Sequence, residues 1–139
     1  MHRCVHVART RDTRRRMVAF IPGLLIGLVS VAWAQAPRSF SAQALRGELI
    51  VTAPPEARLN GQPVRLAPGA RIRGADNMLQ LSGTLVNQRL LVHYTVDIGG
   101  QLRDVWVLTP AEAARPWPVT PQQARAWQFN PDTQTWSRP

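Results

Sequence analysis

The residues that could carry out catalysis in this chain are few and far apart. His93 is the only histidine after residue 34, and the single cysteine, Cys4, precedes it. Nucleophile–base triads need a histidine beside a nucleophile, and zinc sites need several histidine or cysteine ligands. Asp97 lies four residues from His93, which is roughly 13 Å on an extended strand and too far for a hydrogen bond. The sequence therefore predicts a solvent-exposed His93, no metal site and no cofactor.

Carboxylates are the remaining groups that could do acid–base chemistry. The acidic residues after residue 34 are spread along the chain without clustering: Glu48, Glu56, Asp76, Asp97, Asp104, Glu112 and Asp132. Two carboxylates that meet in the folded chain can hydrolyse a glycosidic bond. A small hydrolase or glycan-modifying enzyme that uses Asp97, Asp104 or Glu48 is therefore one alternative. The missing site components favour a protein that is not an enzyme.

A basic surface is the stronger candidate for function. Arg58, Arg65, Arg71 and Arg73 fall on predicted strands next to an Asn-Gly hairpin, where they would form one basic edge of a sheet. Guanidinium groups bind phosphates and carboxylates, so lipid phosphates, anionic glycans or an acidic partner protein would fit this edge. In the alternative interpretation, these arginines only keep an edge strand from pairing with other chains.

Trp117 is a second candidate binding residue. It lies between Pro116 and Pro118, and these prolines would hold its ring rigidly at the surface. The alternative is that the ring covers an open end of the sheet, since a tryptophan gains a large free energy on burial. The sequence favours burial over exposure of this ring.

The first 34 residues predict an export signal. Six arginines precede an uncharged, mostly apolar run from Met17 to Ala34, which ends on small residues. This arrangement is typical of a secretory signal peptide, and we place the mature N-terminus at Gln35. The expected location is the periplasm of a Gram-negative cell, reached by a Sec-type signal. In an alternative interpretation the leader is retained and tethers the domain to the membrane, although the apolar run is short for a span.

The leader also accounts for much of the net charge of the chain. The full chain carries a net charge of +9, and six of its arginines precede residue 17. The residues after 34 hold eleven arginines and seven acidic residues, which leaves a net charge of about +4. Affinity for polyanions depends on clustered charge that remains after processing, so we predict no nucleic-acid binding.

The pattern after the leader divides the chain into a flexible lead-in at 35–46, a β-sheet or barrel core at 47–109, and a tryptophan-rich segment at 110–139 packed on that core. Leu49 and Val51 alternate with polar residues and mark the first strand. The dipeptide Asn60-Gly61 predicts a type I′ hairpin, because both residues tolerate a positive φ. We expect a tight turn at 67–70, and a short turn followed by a strand at 74–87.

The two longest predicted strands meet at a hairpin whose register depends on the turn from Asp97 to Gly100. A bulged turn would place Val92 opposite Trp106, whereas a two-residue turn would place Trp106 on the same face as His93. We favour the bulged turn because it collects the apolar side chains on one face. The sequence alone leaves the register open.

The C-terminal part of the chain changes to helix and turn signals. Capping boxes at 109–112 and 120–123 each predict a short helix. Residues 129–136 resemble a designed β-hairpin peptide, which implies a turn with packed aromatic residues, and Gln134 stands where that peptide has glycine. The fold class is therefore mainly β: a small bent antiparallel sheet or partly open barrel of five or six strands, similar to SH3 or OB architectures, with two short C-terminal helices and a terminal hairpin.

Several motifs between residues 45 and 117 resemble a group of short exported proteins from betaproteobacteria. They are Arg46-Gly47-Glu48-Leu49, Leu59-Asn60-Gly61, the run 66–77, and Asp104-Val105-Trp106-Val107-Leu108-Thr109. The resemblance implies a Gram-negative periplasmic setting and one shared domain, and it carries no functional residues. With the basic edge, it favours a non-catalytic exported envelope module that binds a protein partner or an anionic envelope component.

Overall fold

The computed structural model describes residues 37–139, so the proposed leader and the mature start at Gln35 lie outside the described residues. The elements follow in chain order: β1 (Leu45–Ala53), β2 (Glu56–Leu59), β3 (Gln62–Arg73), β4 (Leu79–Gln80), a 3-10 helix (Ser82–Leu85), β5 (Arg89–Val96), β6 (Leu102–Val107), α1 (Pro110–Ala113), α2 (Pro121–Ala126), β7 (Gln128–Asn130) and β8 (Thr135–Ser137). The prediction of a mainly β chain with two short helices is confirmed.

Strands β1 to β6 form one sheet in the order β2-β1-β5-β6-β3-β4. Strand β2 also pairs with β3, so the pairings run around a ring of five strands. The sheet is partly ring-like but is not a barrel. Its neighbours are antiparallel except for β3 and β6, which are parallel. The sheet is therefore mixed, whereas the sequence predicted a bent antiparallel sheet or partly open barrel.

The parallel pairing arises because β3 is one long strand rather than two short ones. Its first half forms the predicted hairpin with β2, in which Asn60 has φ 51° and Gly61 has φ 80°. Its second half continues beside β6, and the register shifts between Leu66 and Arg71. Gly69 has φ 77° in this interval. The predicted tight turn at 67–70 is thus an irregularity that bends the strand without reversing it.

The interior of the ring-like sheet is an apolar core. Leu49 and Val51 are fully buried, as their alternation predicts. They pack with residues from each of the other long strands and from the 3-10 helix: Ala57, Leu66, Ile72, Leu85, Val92, Tyr94, Leu102 and Val105. The segment at 74–87 holds the predicted short turn and strand, the latter as the two-residue β4, and then an unpredicted 3-10 helix, which contributes Leu85 to this core.

The hairpin between β5 and β6 has a register that differs from the favoured prediction. The turn closes as expected, because the Gly100 N–H donates to the Asp97 carbonyl at 3.0 Å and Val96 opposes Leu102. The register then shifts by one residue at Arg103, so that His93 opposes Trp106. The predicted pairing of Val92 with Trp106 is therefore wrong. The turn from Asp97 to Gly100 is the first irregularity, and the extra residue Arg103 is a second one. Arg103 moves Trp106 to the face opposite the one that the turn alone predicts.

The segment predicted as a flexible lead-in is packed against the domain from Arg38 onward. Phe40 and Ala44 are buried, and strand β1 begins at Leu45, inside the predicted lead-in. The Phe40 amide donates to Oε1 of Gln134 at 2.7 Å, which ties this segment to the C-terminal hairpin. Both ends of the described chain therefore meet in one place.

The C-terminal helices and hairpin form largely as predicted. Thr109 and Glu112 make a complete capping box at the start of α1. Thr120 caps α2, but Gln123 reaches the amide of Val119 instead of the cap residue. Strands β7 and β8 form the terminal hairpin, and the rings of Phe129 and Trp136 lie 5.0 Å apart. These elements bring the tryptophans onto the outer side of β5 and β6.

Candidate functional site

A cluster of aromatic residues, here called the aromatic cluster, packs separately from the sheet interior. It consists of Phe40, Ala44, Trp106, Trp117 and Trp136, with Leu108, Ala124, Trp127 and Phe129 packed at its margin. Its rings meet mostly edge to face, with centroids 5.6 to 5.9 Å apart around Trp117. Such pairs contribute about 0.5–1.5 kcal/mol each beyond the burial of area.

Trp117 lies at the centre of the aromatic cluster. Only 4% of the residue is exposed, and its Nε1 donates to the carbonyl oxygen of Ala44 at 2.8 Å. The flanking proline Pro118 is buried as well. The ring is therefore buried, as the sequence favours, but it packs in the aromatic cluster beside His93 and does not cover an open end of the sheet.

His93 is buried beside Trp117, which contradicts the prediction of a solvent-exposed histidine. Its ring stacks on Trp117 with centroids 4.0 Å apart, and Phe40 meets it edge-on at 4.6 Å. The register shift at Arg103 places Trp106 on the same face as His93, and the rings of Phe40 and Trp117 cover that face. Burial, reinforced by the charge of Arg46, lowers the pKa of His93 to about 3. The imidazole is therefore neutral at ordinary pH.

Two arginines from the packed N-terminal segment and the start of β1 reach the edge of this cluster. Arg38 is held by a carboxylate: its Nε donates to Oε1 of Glu112 at 2.8 Å, and its terminal nitrogens donate to the carbonyls of Gly74 and Val107. Burial opposes ionisation of Glu112, but hydrogen bonds from Arg38 and Thr109 outweigh it and lower the pKa of this carboxyl. The pair fixes α1 against the sheet.

Arg46 is held only by neutral groups. Its Nη1 donates to the carbonyl of Ala113 at 3.0 Å, and its Nη2 donates to the carbonyl of Glu112 at 2.9 Å. Nη2 also lies 3.3 Å from Nε2 of His93, which assigns the hydrogen of that ring to Nδ1. Within residues 37–139, no carboxylate forms an ion pair with Arg46. Burial lowers the pKa of this guanidinium because its charge is partly removed from water.

A shallow depression opens beside Arg46 and is called the basic depression here. Its lining includes Arg46, Arg115, Arg138, Pro116 and Trp136. The remaining lining residues are alanines, so every ionisable group that lines it is an arginine. The guanidinium carbon of Arg138 lies 5.0 Å from the centroid of the Trp127 ring, a cation–π distance that orients this side chain.

The arginines predicted to form one basic edge lie in two pairs, which together are called the arginine edge. Arg58 and Arg65 face outward on the β2–β3 hairpin, and Arg65 pairs with Glu56. Arg71 and Arg73 face outward on the second half of β3, on either side of the buried Ile72. Arg65 and Arg71 are six positions apart along β3, which is at most about 20 Å of extended strand.

The carboxylates considered for catalysis all have structural contacts. Oδ1 of Asp97 accepts the Gln101 amide at 2.9 Å in the hairpin turn. Asp104 pairs with Arg71 at 3.0 Å. Glu48 lies 3.6 Å from the Nε of Arg89.

In the described part of the chain, no group of three histidine, cysteine, aspartate or glutamate residues is placed to hold a metal ion. None of the helices in that part combines the length and apolar character needed to cross a bilayer.

Sequence reasoning missed Arg46 and the basic depression. The residues that form it come from the predicted lead-in, the end of α1 and the C-terminus, so no local spacing joins them. One local signal was available. The capping box at 109–112 marks the start of a helix, and Arg115 follows three residues after Glu112, just before Pro116, so the pattern predicts this arginine at the end of that helix.

Comparisons of the chain with family models, with curated proteins and with solved structures give no match.

Proposed function

We propose that the domain after the leader is a non-catalytic exported module of the cell envelope, which binds an anionic envelope component or an acidic protein partner through the arginine edge. The observation that carries this proposal is the outer face of β3, where Arg65, Arg71 and Arg73 all point away from the core. Export to the periplasm rests on the leader sequence.

Three of the four arginines of the arginine edge are unpaired among residues 37–139 or only weakly paired, whereas Arg71 is held by the mostly buried Asp104. In the pair of Arg65 with Glu56, both side chains are more than half exposed. Exposed pairs of this kind stabilise a protein by about 0–1 kcal/mol. Arg58 and Arg73 form no ion pair among residues 37–139. An incoming phosphate or carboxylate therefore displaces little internal stabilisation.

Exposed apolar side chains lie next to the second arginine pair. Arg73 is the register partner of Leu79 on β4, so both side chains occupy the outer face of the sheet. Leu79 is 66% exposed and Leu81 is 77% exposed. Adjacent basic and apolar groups are typical of a surface that binds a partner or a lipid headgroup region.

Charge reversal on the arginine edge tests this proposal. The double variant Arg58→Glu, Arg73→Glu avoids the internally paired arginines, and Gln122→Glu, Arg125→Glu is a control that makes exposed residues of α2 acidic, away from strands β2 and β3. We expect the first variant to lose at least tenfold in binding to phosphatidylglycerol vesicles or in capture of an envelope protein, and the control to keep both.

Each outcome of this experiment has a meaning for the ligand class. Loss of vesicle binding alone identifies an anionic lipid, and loss of a captured protein alone identifies an acidic partner. Equal binding by both double variants, with unfolding midpoints unchanged, would remove the arginine edge as the binding surface. Thermal unfolding of all variants is the check that each remains folded.

A further inference from the structure

We propose a second binding site, the basic depression, which takes the phosphate group of a small or surface-attached ligand with Arg46 as its anchor. This site goes beyond the arginine edge and shares no residue with it. It rests on three observations: a partly buried guanidinium without a counter-ion among residues 37–139, two further arginines beside it, and an excess of buried donors at the same place.

The charge of Arg46 is the first step of the argument. A partly buried charge is usually paired, because removing it from water is costly. The neighbouring Arg38 follows this rule with Glu112, whereas Arg46 has two carbonyls and a neutral imidazole. The two arginines lie against the same helix, α1, and one carboxylate serves only the first. An anion from outside would supply the missing charge.

The arrangement around Arg46 gives the second step. Arg115 and Arg138 line the same depression, and both are exposed. Arg138 is positioned over the ring of Trp127, and in the described part of the chain no carboxylate pairs with it. Three guanidinium groups around a surface free of acidic residues create a positive potential, and guanidinium matches the geometry of phosphate oxygens. A phosphate dianion uses this charge more fully than a single carboxylate.

The unsatisfied buried polar atoms give the third step. Among the described residues, the buried side-chain nitrogens and oxygens without a hydrogen-bond partner are Nε of Arg46, Nδ1 of His93 and Nε1 of Trp136. With the His93 tautomer assigned above, all three are N–H donors. Arg46 and Trp136 line the basic depression, and their two unsatisfied nitrogens are themselves buried. The local imbalance therefore has one sign, an excess of donors, and an acceptor-rich anion is its complement.

The experiment titrates the folded protein with inorganic phosphate and follows the indole N–H signal of Trp136 by NMR. We expect saturable binding that shifts this signal, and a rise in the unfolding midpoint with phosphate concentration. The double variant Arg115→Gln, Arg138→Gln should weaken binding about a hundredfold, at about tenfold for each lost guanidinium contact. Arg89→Gln, Arg125→Gln is the control, and its affinity should not change.

The variants at Arg115 and Arg138 distinguish a binding role of the depression from a purely structural role of Arg46. If Arg46 only ties α1 to the sheet, the Arg115 and Arg138 variants leave phosphate affinity unchanged, which overturns the proposal. An Arg46→Lys variant keeps the charge and should retain weakened binding. Sodium acetate and glycerol phosphate form the other arms: acetate binding as tight as phosphate would overturn the assignment to phosphate.

The same titration keeps the two proposed sites apart. The Arg58→Glu, Arg73→Glu variant should bind inorganic phosphate at the basic depression with unchanged affinity. Loss of phosphate binding in that variant, with the Arg115→Gln, Arg138→Gln variant unaffected, would move the phosphate site to the arginine edge. Absence of saturable binding in the unmodified protein would reject the site outright.

Discussion

The sheet interior and the aromatic cluster lie on opposite faces of β5, where the successive residues Val92 and His93 are both buried. The sheet interior consists of aliphatic residues together with Tyr94, and Leu49, Val51 and Val92 are completely covered. The aromatic cluster instead combines large rings with a histidine and borders two arginines. One face of β5 thus packs into an apolar core, and the other carries the buried His93, which lies next to Arg46.

The difference in composition between these two regions indicates which part of the protein is the better candidate for a functional site. A core made of aliphatic side chains leaves no chemistry to explain, because burial alone accounts for it. The aromatic cluster packs against His93 and lies beside Arg46, and burial disfavours the charged form of both side chains. Among residues 37–139 no carboxylate pairs with Arg46. Groups that oppose folding are common near binding sites, where a ligand completes the set of partners.

The largest expected effect comes from removing the ring at the centre of the aromatic cluster. Trp117→Ala should lower the free energy of unfolding by about 3–5 kcal/mol, because it leaves a cavity beside His93 and strands the Ala44 carbonyl. Urea denaturation at pH 7 measures this change. Trp117→Phe keeps an aromatic ring and should lose less than half as much.

The comparison with the sheet interior makes this prediction sharper. Leu49→Ala in the fully buried apolar core should cost about 2–5 kcal/mol. If Trp117→Ala costs less than about 1 kcal/mol while Leu49→Ala costs its full amount, the aromatic cluster is a loose cover and not a second core. That result would also weaken the case that Arg46 is held in a fixed position.

The second prediction concerns pH, and it again distinguishes the two regions. The pKa of His93 is lowered to about 3 in the folded protein, compared with about 6.5 for an unperturbed histidine. Between these values the unfolded chain binds more protons than the folded one. The stability that depends on a neutral His93 is therefore fully present above pH 6.5. The free energy of unfolding falls as the pH decreases below this value, by at most about 1.4 kcal/mol per pH unit.

Denaturation curves at pH 7, 6, 5 and 4 measure this slope. The variant His93→Phe removes the titrating group but keeps a ring next to Trp117, so its stability should change little between pH 7 and 5. Glu112 adds a loss at lower pH, since its pKa lies below the ordinary value and protonation removes the pair with Arg38. An equal slope in both proteins between pH 7 and 5 would mean that His93 is not the responsible group.

The sheet interior could be predicted from the sequence, and the aromatic cluster could not, for a physical reason. Leu49, Val51 and the Asn60-Gly61 turn follow local rules, because alternation and positive φ are properties of neighbouring residues. The side of β5 on which Trp106 lies depends on one extra residue, Arg103, in the opposing strand. A single bulge reverses every later side chain, and no local pattern marks it.

The candidate site was less predictable still. The arginine edge was named from the sequence, and its members do face outward from their strands, but their grouping in two pairs follows from the long bend in β3. The basic depression was not predicted, since Arg46, Arg115 and Arg138 are brought together only by the packing of α1 and β8. Long-range packing of this kind has no signature in spacing.

The smallest expected effect is at Gln134, which joins the aromatic cluster to the N-terminal segment. Its φ of 53° is a left-handed conformation that costs about 1–2 kcal/mol for a residue with a side chain. Its side chain offsets this cost, because Oε1 accepts the buried Phe40 amide and Nε2 donates to the Pro131 carbonyl, each at 2.7 Å. This explains how glutamine occupies a position where the designed hairpin has glycine.

Two substitutions at Gln134 separate strain from hydrogen bonding. Gln134→Ala keeps the strained backbone and removes both bonds, so it should lower the free energy of unfolding by about 2 kcal/mol. Gln134→Gly removes the same bonds but also relieves the strain, and its net loss should be only about 1 kcal/mol. Urea denaturation gives both values, and their difference measures the backbone strain. Equal losses would show that the left-handed conformation costs nothing here, and that the Phe40 contact alone determines the choice of residue.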